Sequence, residues 1–126
     1  MREVIRAFKA LSDETRLRVL NLVLERECCV CEVMQALEIS QSKASRHLSA
    51  LYDAGFLNQR KEGLWSLYSV DEDMKDYLSD LVTATRKALK DNKATALDKE
   101  RLKEAKRAGF NCTQDKNAGK LCSDNA

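Results

Sequence analysis

Apolar residues recur at helical spacing through most of the first 54 positions of the chain. The spacing and the capping residues predict four helices. The first covers residues 2–11, and the second is capped by Ser12 or Asp13 and runs to about Arg26. The third is short and holds the cysteine cluster at its N-terminal end, and the fourth begins at Ser40 and ends at Gly55. Each of the four has one apolar face, which is typical of helices that share a core.

The pattern changes after Gly55. Two short runs rich in aromatic and branched residues, 56–61 and 64–70, predict a β-hairpin with its turn at Lys61-Glu62-Gly63. Asp71 is then predicted to cap a long helix that ends near Lys90.

The expected fold class is therefore mainly α with a small β-hairpin. Residues 1–92 form one expected domain. Residues 93–126 are polar and basic, and we expect a tail with at most one short helix, around 98–108 and ended by Gly109.

Composition excludes a membrane bundle, because 33% of the 126 residues are charged and no apolar run is long enough to span a bilayer. We expect a cytoplasmic protein without a membrane partner. Residues 1–85 hold 11 Lys/Arg and 14 Asp/Glu, whereas residues 86–126 hold 11 and 6. A surface for nucleic acid must therefore be a local patch.

The third and fourth predicted helices with their tight connection have the layout of a helix-turn-helix, and the hairpin that follows is placed like a wing. Arg46 can pair with guanine and Gln41 with adenine, and the hairpin tip can grip the flanking backbone. The predicted DNA-binding residues are Gln41, Ser42, Lys43, Ser45, Arg46 and His47 of the fourth helix, and Arg60 and Lys61 of the hairpin tip.

Three of the five cysteines, Cys28, Cys29 and Cys31, fall within four residues. A cytoplasmic chain keeps its thiols reduced, so a disulfide framework is not expected. Clustering of this kind indicates metal binding or thiol redox chemistry.

Several segments resemble the ArsR/SmtB family of metal-responsive repressors, in its arsenic-sensing branch. They are Ala10–Leu20, the cysteine box Glu27–Glu32, the recognition motif Ser40–Leu48, and Glu62-Gly63-Leu64-Trp65 with Tyr68. The resemblance implies a homodimeric winged helix-turn-helix repressor, not an enzyme, with residues 1–92 as its DNA-binding and dimerisation domain. This repressor binds a palindromic double-stranded operator and leaves it when As(III) or Sb(III) binds. The resemblance implies no permanent cofactor.

In that resemblance Cys29 and Cys31 match the first two metalloid ligands, and Met34 stands where the family has a third cysteine. A thioether is a much weaker ligand than a thiolate. The third ligand is left open between Cys28, the tail cysteines Cys112 and Cys122, and a site of two thiolates.

Residues two apart on a helix point in nearly opposite directions. One ion can therefore bind both Cys29 and Cys31 only by unwinding or redirecting the start of the third helix, and we expect this to misplace the recognition helix. Two alternatives remain, a thiol-redox-sensing repressor of the same fold and a small thiol oxidoreductase using Cys28 and Cys31.

Overall fold

The computed structural model describes residues 1–107. In chain order its elements are α1 (Arg2–Leu11), α2 (Glu14–Glu25), β1 (Cys28–Cys29), α3 (Val30–Leu37), α4 (Gln41–Asp53), β2 (Leu57–Glu62), β3 (Trp65–Val70), α5 (Asp76–Leu89) and α6 (Lys93–Glu104). Within this range no helix is both long enough and apolar enough to cross a membrane.

The predicted boundaries of the first four helices are confirmed where a local capping signal sets them. Asp13 accepts a hydrogen bond from Arg16 N at 2.9 Å, and Ser40 accepts one from Lys43 N at 3.1 Å. Gly55 follows α4 with a φ of 94°, so the chain can leave the helix in a conformation that disfavours other residues. Phe56 N then donates to Leu51 O, which completes a Schellman motif.

Strands β2 and β3 form the predicted hairpin, but its tip lies further along the chain. The antiparallel pairing runs from Leu57 opposite Val70 to Glu62 opposite Trp65, so Gly63 and Leu64 make the turn. Arg60 and Lys61, predicted at the tip, lie within β2 instead.

The sheet has a third strand that the sequence pattern does not predict. Cys28 pairs with Tyr68 and Cys29 with Leu67, which gives the strand order β1-β3-β2. The cysteine pair is therefore extended, and α3 begins one residue after it, at Val30.

The core lies between the helix-turn-helix, α2 and the inner face of this sheet. Its largest fully buried side chains include Leu20, Leu48, Leu51, Phe56 and Leu67. Packing these residues together holds α4 against α2 and the hairpin beside α4.

Helix α5 begins later than predicted, with Lys75 rather than Asp71 as its N-cap. Asp71 N donates to Phe56 O, which extends the hairpin by one more bond, and the Asp71 carboxylate accepts a hydrogen bond from Asp73 N. Asp71 thus closes a turn, and the helix cannot start until the chain has left it.

The helix after α5 also differs from the expected one at 98–108, since α6 spans Lys93–Glu104 with Asn92 as its cap. Leu102 and Asp98 are fully buried, and α6 packs on α2 and α3. Arg18 of α2 donates two hydrogen bonds to the Asp98 carboxylate, at 2.8 and 2.7 Å. Residues 93–104 are therefore packed on the core, and Gly109 lies outside the described residues.

Asp98→Ala removes this carboxylate and leaves Arg18 without its partner. We expect a loss of about 2–3 kcal/mol in the free energy of unfolding, moderated because Arg18 keeps some contact with water. Urea denaturation measures the loss, and Glu104→Ala on the exposed side of α6 is the matched control. Equal midpoints for the two variants would show that α6 does not depend on this ion pair.

Candidate thiol cleft and nucleic-acid interface

Helix α4 presents a polar face away from the core. Ser42, Lys43 and Arg46 are exposed, and Gln41 and Ser45 are partly exposed. Within residues 1–107 neither Lys43 nor Arg46 takes part in an ion pair. Both cations therefore stay available to phosphates or base edges.

His47 differs from the other predicted DNA contacts, because it is only 7% exposed. Arg16 of α2 donates from Nε to His47 Nδ1 at 3.2 Å and also bonds two carbonyls at the end of α1. Burial lowers the pKa of His47, and although Asp13 opposes this, Arg16 adds to the lowering. We assign His47 to packing between α4 and α2.

The two predicted wing cations are both held by neighbouring side chains. Arg60 donates two hydrogen bonds to the Glu27 carboxylate, each at 2.8 Å, and pairs with Glu62 at 2.9 Å. Lys61 donates to Ser66 Oγ at 2.9 Å. Glu27 immediately precedes β1, so the ion pair between Arg60 and Glu27 connects the wing to the chain just before the cysteines.

The three clustered cysteines do not all line the same cleft, because Cys28 lies apart from Cys29 and Cys31. Cys28 is fully buried, and its thiol donates to Arg26 O at 3.2 Å, at the end of α2. Burial raises the pKa of Cys28 to about 12. This environment suppresses the thiolate that redox chemistry needs, and so argues against Cys28 as a redox nucleophile.

Cys29 and Cys31 both line one cleft of about 270 Å³ between the start of α3, helix α4 and the wing. Its other walls are Val30, Gln41, Ser45, Ser49, Leu64, Trp65, Ser66 and Tyr68. Burial raises the pKa of Cys29 to about 11. The cleft therefore places two predicted thiol ligands directly against two predicted DNA-binding elements.

The prediction that Cys29 and Cys31 both lie in the third helix is wrong. Cys29 is the N-cap of α3, with an extended backbone at φ −93° and ψ 169°, and only Cys31 is inside the helix. The two side chains can thus face one cleft without any unwinding of α3. For the same reason Cys28, which lies in β1, does not share a helical face with Cys31.

Within residues 1–107 no group of three or more His, Cys, Asp or Glu side chains is placed to hold a metal ion. Met34 is buried in the core and does not line the cleft. Cys112 and Cys122 lie outside the described residues.

Glu32, which was not predicted as a site residue, fixes the start of α3 beside the cleft. Although it is 4% exposed, its carboxylate accepts hydrogen bonds from Cys29 N at 2.9 Å, Arg26 at 2.8 Å and Arg107 at 3.1 Å. Burial alone would raise the pKa of Glu32, but these three donors bring it below its ordinary value. The one local signal was the Glu three residues after Cys29, the spacing of a capping box.

The lowered pKa of His47 allows its packing role to be tested by the pH dependence of stability. Because the folded state favours neutral imidazole, His47 contributes stability above its ordinary pKa of 6.5 and loses it as the pH falls through that value. His47 is the single histidine of the sequence, so no other side chain has an ordinary pKa in this range. We expect the free energy of unfolding to fall between about pH 7.5 and pH 5.5.

His47→Gln should flatten this dependence, because its amide oxygen can still accept from Arg16 and does not titrate. Urea denaturation across the same pH range makes the comparison. Identical slopes in the original and variant proteins would remove His47 as the cause.

Comparison with known proteins places these features in one family. The family model described as bacterial regulatory protein, arsR family, matches residues 13–59. The arsenic resistance transcriptional regulator ArsR1 of Pseudomonas putida is 43% identical over 82 residues, which cover 62% of this chain and 64% of that regulator. The chain thus spans just under two thirds of that relative's length.

The arsenical resistance operon repressor of Bacillus subtilis is 37% identical over 82 residues, which cover 64% of this chain and 78% of the repressor. Among solved structures, the homodimeric winged helix-turn-helix DNA-binding domain of Mycobacterium bovis Mb0332 superposes with a TM-score of 0.60 at 25% identity, covering 73% of this chain and 82% of that domain. These relatives are regulators with a DNA-binding fold and not enzymes. The chain belongs to the arsR family of bacterial regulatory proteins.

Proposed function

We propose that this protein is a dimeric operator-binding repressor that As(III) or Sb(III) releases from DNA by binding Cys29 and Cys31. The observation that carries the proposal is the cleft in which these two cysteines face Gln41, Ser45 and Ser49 of α4. A ligand in this cleft lies beside Gln41 and Ser45, two of the predicted DNA-binding residues of α4. The relatives named for arsenic resistance support the choice of effector.

Cys31 has a bonding partner in the structure, so binding starts from the protein with both cysteines reduced. The binding step itself then exchanges oxygen for sulfur without oxidation or reduction. Neutral arsenous acid, As(OH)3, meets the two thiols; two As–O bonds break, two As–S bonds form, and two waters leave with the thiol protons. Such a ligand needs sulfurs that converge on one point, which a cleft with two cysteines on one wall supplies. Drawing the sulfurs together moves the start of α3 relative to α4.

Dimerisation is proposed through α1 and α5. Ile5 and Phe8 of α1 are large apolar residues that remain 45% and 54% exposed, and Tyr77 and Leu81 of α5 are only partly covered. Pairing these faces across a twofold axis removes them from water. The homodimeric Mycobacterium bovis domain supports dimerisation as such. A twofold dimer reads a palindromic operator with half-sites about one helical turn, or a multiple of it, apart.

Arsenite should release the repressor from its promoter fragment only when the two cleft thiols are present. We expect Cys29→Ser/Cys31→Ser to bind the fragment with an affinity within about threefold of the original protein, because neither cysteine is one of the predicted DNA contacts, and to stay bound in arsenite. Gel-shift titration with and without arsenite measures this. Cys28→Ala, which changes a thiol outside the cleft, is the matched control and should still be released.

Arg46→Ala provides the reciprocal control. It should lose DNA affinity while its arsenite uptake, followed by the fluorescence of the single tryptophan Trp65 in the cleft wall, stays unchanged. Release of the Cys29→Ser/Cys31→Ser variant by arsenite would contradict the proposal.

The stoichiometry also predicts how binding depends on pH. The Cys29 thiol, with a pKa of about 11, is protonated near neutrality, and arsenous acid already carries the hydroxides that leave as water. Arsenite affinity should therefore change by less than about threefold between pH 6 and pH 8. Cadmium ion must instead displace the thiol protons, so its affinity should rise by up to about a hundredfold per pH unit for two thiols.

Tryptophan fluorescence titrations of the same preparation with each ligand provide the comparison. A steep rise of arsenite affinity with pH would show that the thiols and arsenous acid do not exchange in this way.

A further inference from the structure

A helix that reads base edges also needs cations nearby that hold the phosphate backbone. Arg60 and Lys61 of the wing are the residues predicted for this role. Arg60 is bonded to the carboxylates of Glu27 and Glu62, and the two cations and two carboxylates of this group cancel in charge. A DNA interface on α4 therefore gains most from cations on another neighbouring element.

Helix α1 carries three such cations on one face. Arg2, Arg6 and Lys9 are four and three residues apart, the spacing of neighbours on a helix surface. All three are exposed, and within residues 1–107 none of them takes part in an ion pair. On a helical projection they centre roughly 100° around α1 from Ile5 and Phe8. A dimer that buries those two apolar residues can therefore leave the cations exposed.

The cationic face of α1 forms one wall of a groove of about 860 Å³ beside α4. Arg2, Arg6 and Lys9 line one side, and Ala50 and Asp53 of α4 line the other. We call this the basic groove. Four of its described lining side chains are cationic, and Asp53 alone among them is anionic, so the groove has a net positive charge.

Arg16, the fourth cation of the basic groove, joins its two walls. It donates from Nη1 to Lys9 O at 3.2 Å and to Ala10 O at 3.4 Å, at the end of α1. It also donates from Nε to His47 Nδ1 on α4 at 3.2 Å. The backbone of α1 is thus fixed relative to α4, which lowers the entropy cost of presenting its cations to a ligand.

The basic groove continues the exposed face of α4. Arg46, Ala50 and Asp53 are four and three residues apart, so the groove begins about one turn, roughly 6 Å, beyond Arg46. Gln41 and Ser45 lie on the opposite flank of α4, in the thiol cleft. The predicted reading face is therefore bordered by the thiol cleft on one side and by the cations of α1 on the other.

We propose that the basic groove binds the phosphate backbone of operator DNA beside the half-site that α4 reads, with Arg2, Arg6 and Lys9 as the phosphate contacts. This inference rests on the function proposed above. Guanidinium and ammonium groups without carboxylate partners match a backbone that carries one negative charge per phosphate. Such contacts add affinity and fix the register of the protein, but they do not read base sequence.

Arg6→Gln and Lys9→Gln each remove one of these cations. Because the proposed dimer carries two copies, each substitution should lower the slope of log Kd against log salt concentration by about 2. Binding at a fixed salt concentration should weaken several-fold, equally for the promoter fragment and for unrelated DNA. Anisotropy titrations of labelled DNA measure both. Lys93→Gln makes the same charge change on α6, which packs on α2 and α3, and should leave the slope unchanged.

Asp53→Asn tests the same groove with the opposite sign. Removing its carboxylate should tighten DNA binding by roughly two- to fivefold, again equally for the promoter fragment and unrelated DNA. Asp53 is the last residue of α4, where a negative charge opposes the helix dipole, so its loss does not weaken the helix. A misfolded variant cannot produce tighter binding.

Unchanged salt slopes in both Arg6→Gln and Lys9→Gln overturn the backbone contact. So does a loss of affinity that disappears when the variants are compared at equal dimer concentration, measured by sedimentation velocity. A protein that does not bind the promoter fragment, or whose binding is unaffected by Arg46→Ala, overturns the proposed function itself. Binding that Arg46→Ala weakens but the two α1 variants do not overturns only the role of α1, so the two failures are distinguishable.

Discussion

The thiol cleft depends on the hydrogen bonds that the buried carboxylate of Glu32 accepts. A charge with 4% exposure is costly unless its partners replace the lost water. Glu32 has three such partners, from the end of α2, the start of α3 and the segment after α6. Its carboxylate therefore joins three separate parts of the chain at one point.

This junction explains how the position of Cys29 is set. Its N–H is bonded to Glu32, while its backbone also pairs with Leu67 in the wing. Arg60 of the wing is tied in turn to Glu27, two residues before Cys29. A displacement of Cys29 therefore acts directly on strand β3 and on the cap of α3, without a long chain of intermediates.

The features of the fold that the sequence predicts are those with local causes. Asp13, Ser40 and Gly55 act on backbone groups within a few residues, and the helix boundaries they set are confirmed. Asn92 carries the same kind of signal for α6 and could have located its start. His47 was predicted as a DNA contact, although its position three residues after Ala44 and four before Leu51 places it on the buried side of α4.

What the sequence does not reveal depends on partners far along the chain. Strand β1 is two residues long and forms only because β3, some forty residues later, offers a free edge. Asp71 has the side chain of a helix cap, yet the backbone bond from Asp71 N to Phe56 O assigns it to the hairpin. The prediction of Cys29 and Cys31 as ligands came from the resemblance, whereas their common cleft required the extended conformation of Cys29.

The charge balance of the proposed reaction restricts how DNA release can work. Neutral arsenous acid replaces protons on neutral thiols, so the field at the DNA surface of α4 is unchanged by the ligand itself. Release must therefore come from displacement of side chains and backbone around the cleft. Moving the bound fraction from 99% to 1% needs a coupling of about 10⁴-fold, and arsenite must then bind the DNA complex more weakly by the same factor. A cleft whose walls include the predicted DNA contacts Gln41 and Ser45 can supply such coupling under the proposed function, because one set of side chains cannot fit both ligands at once.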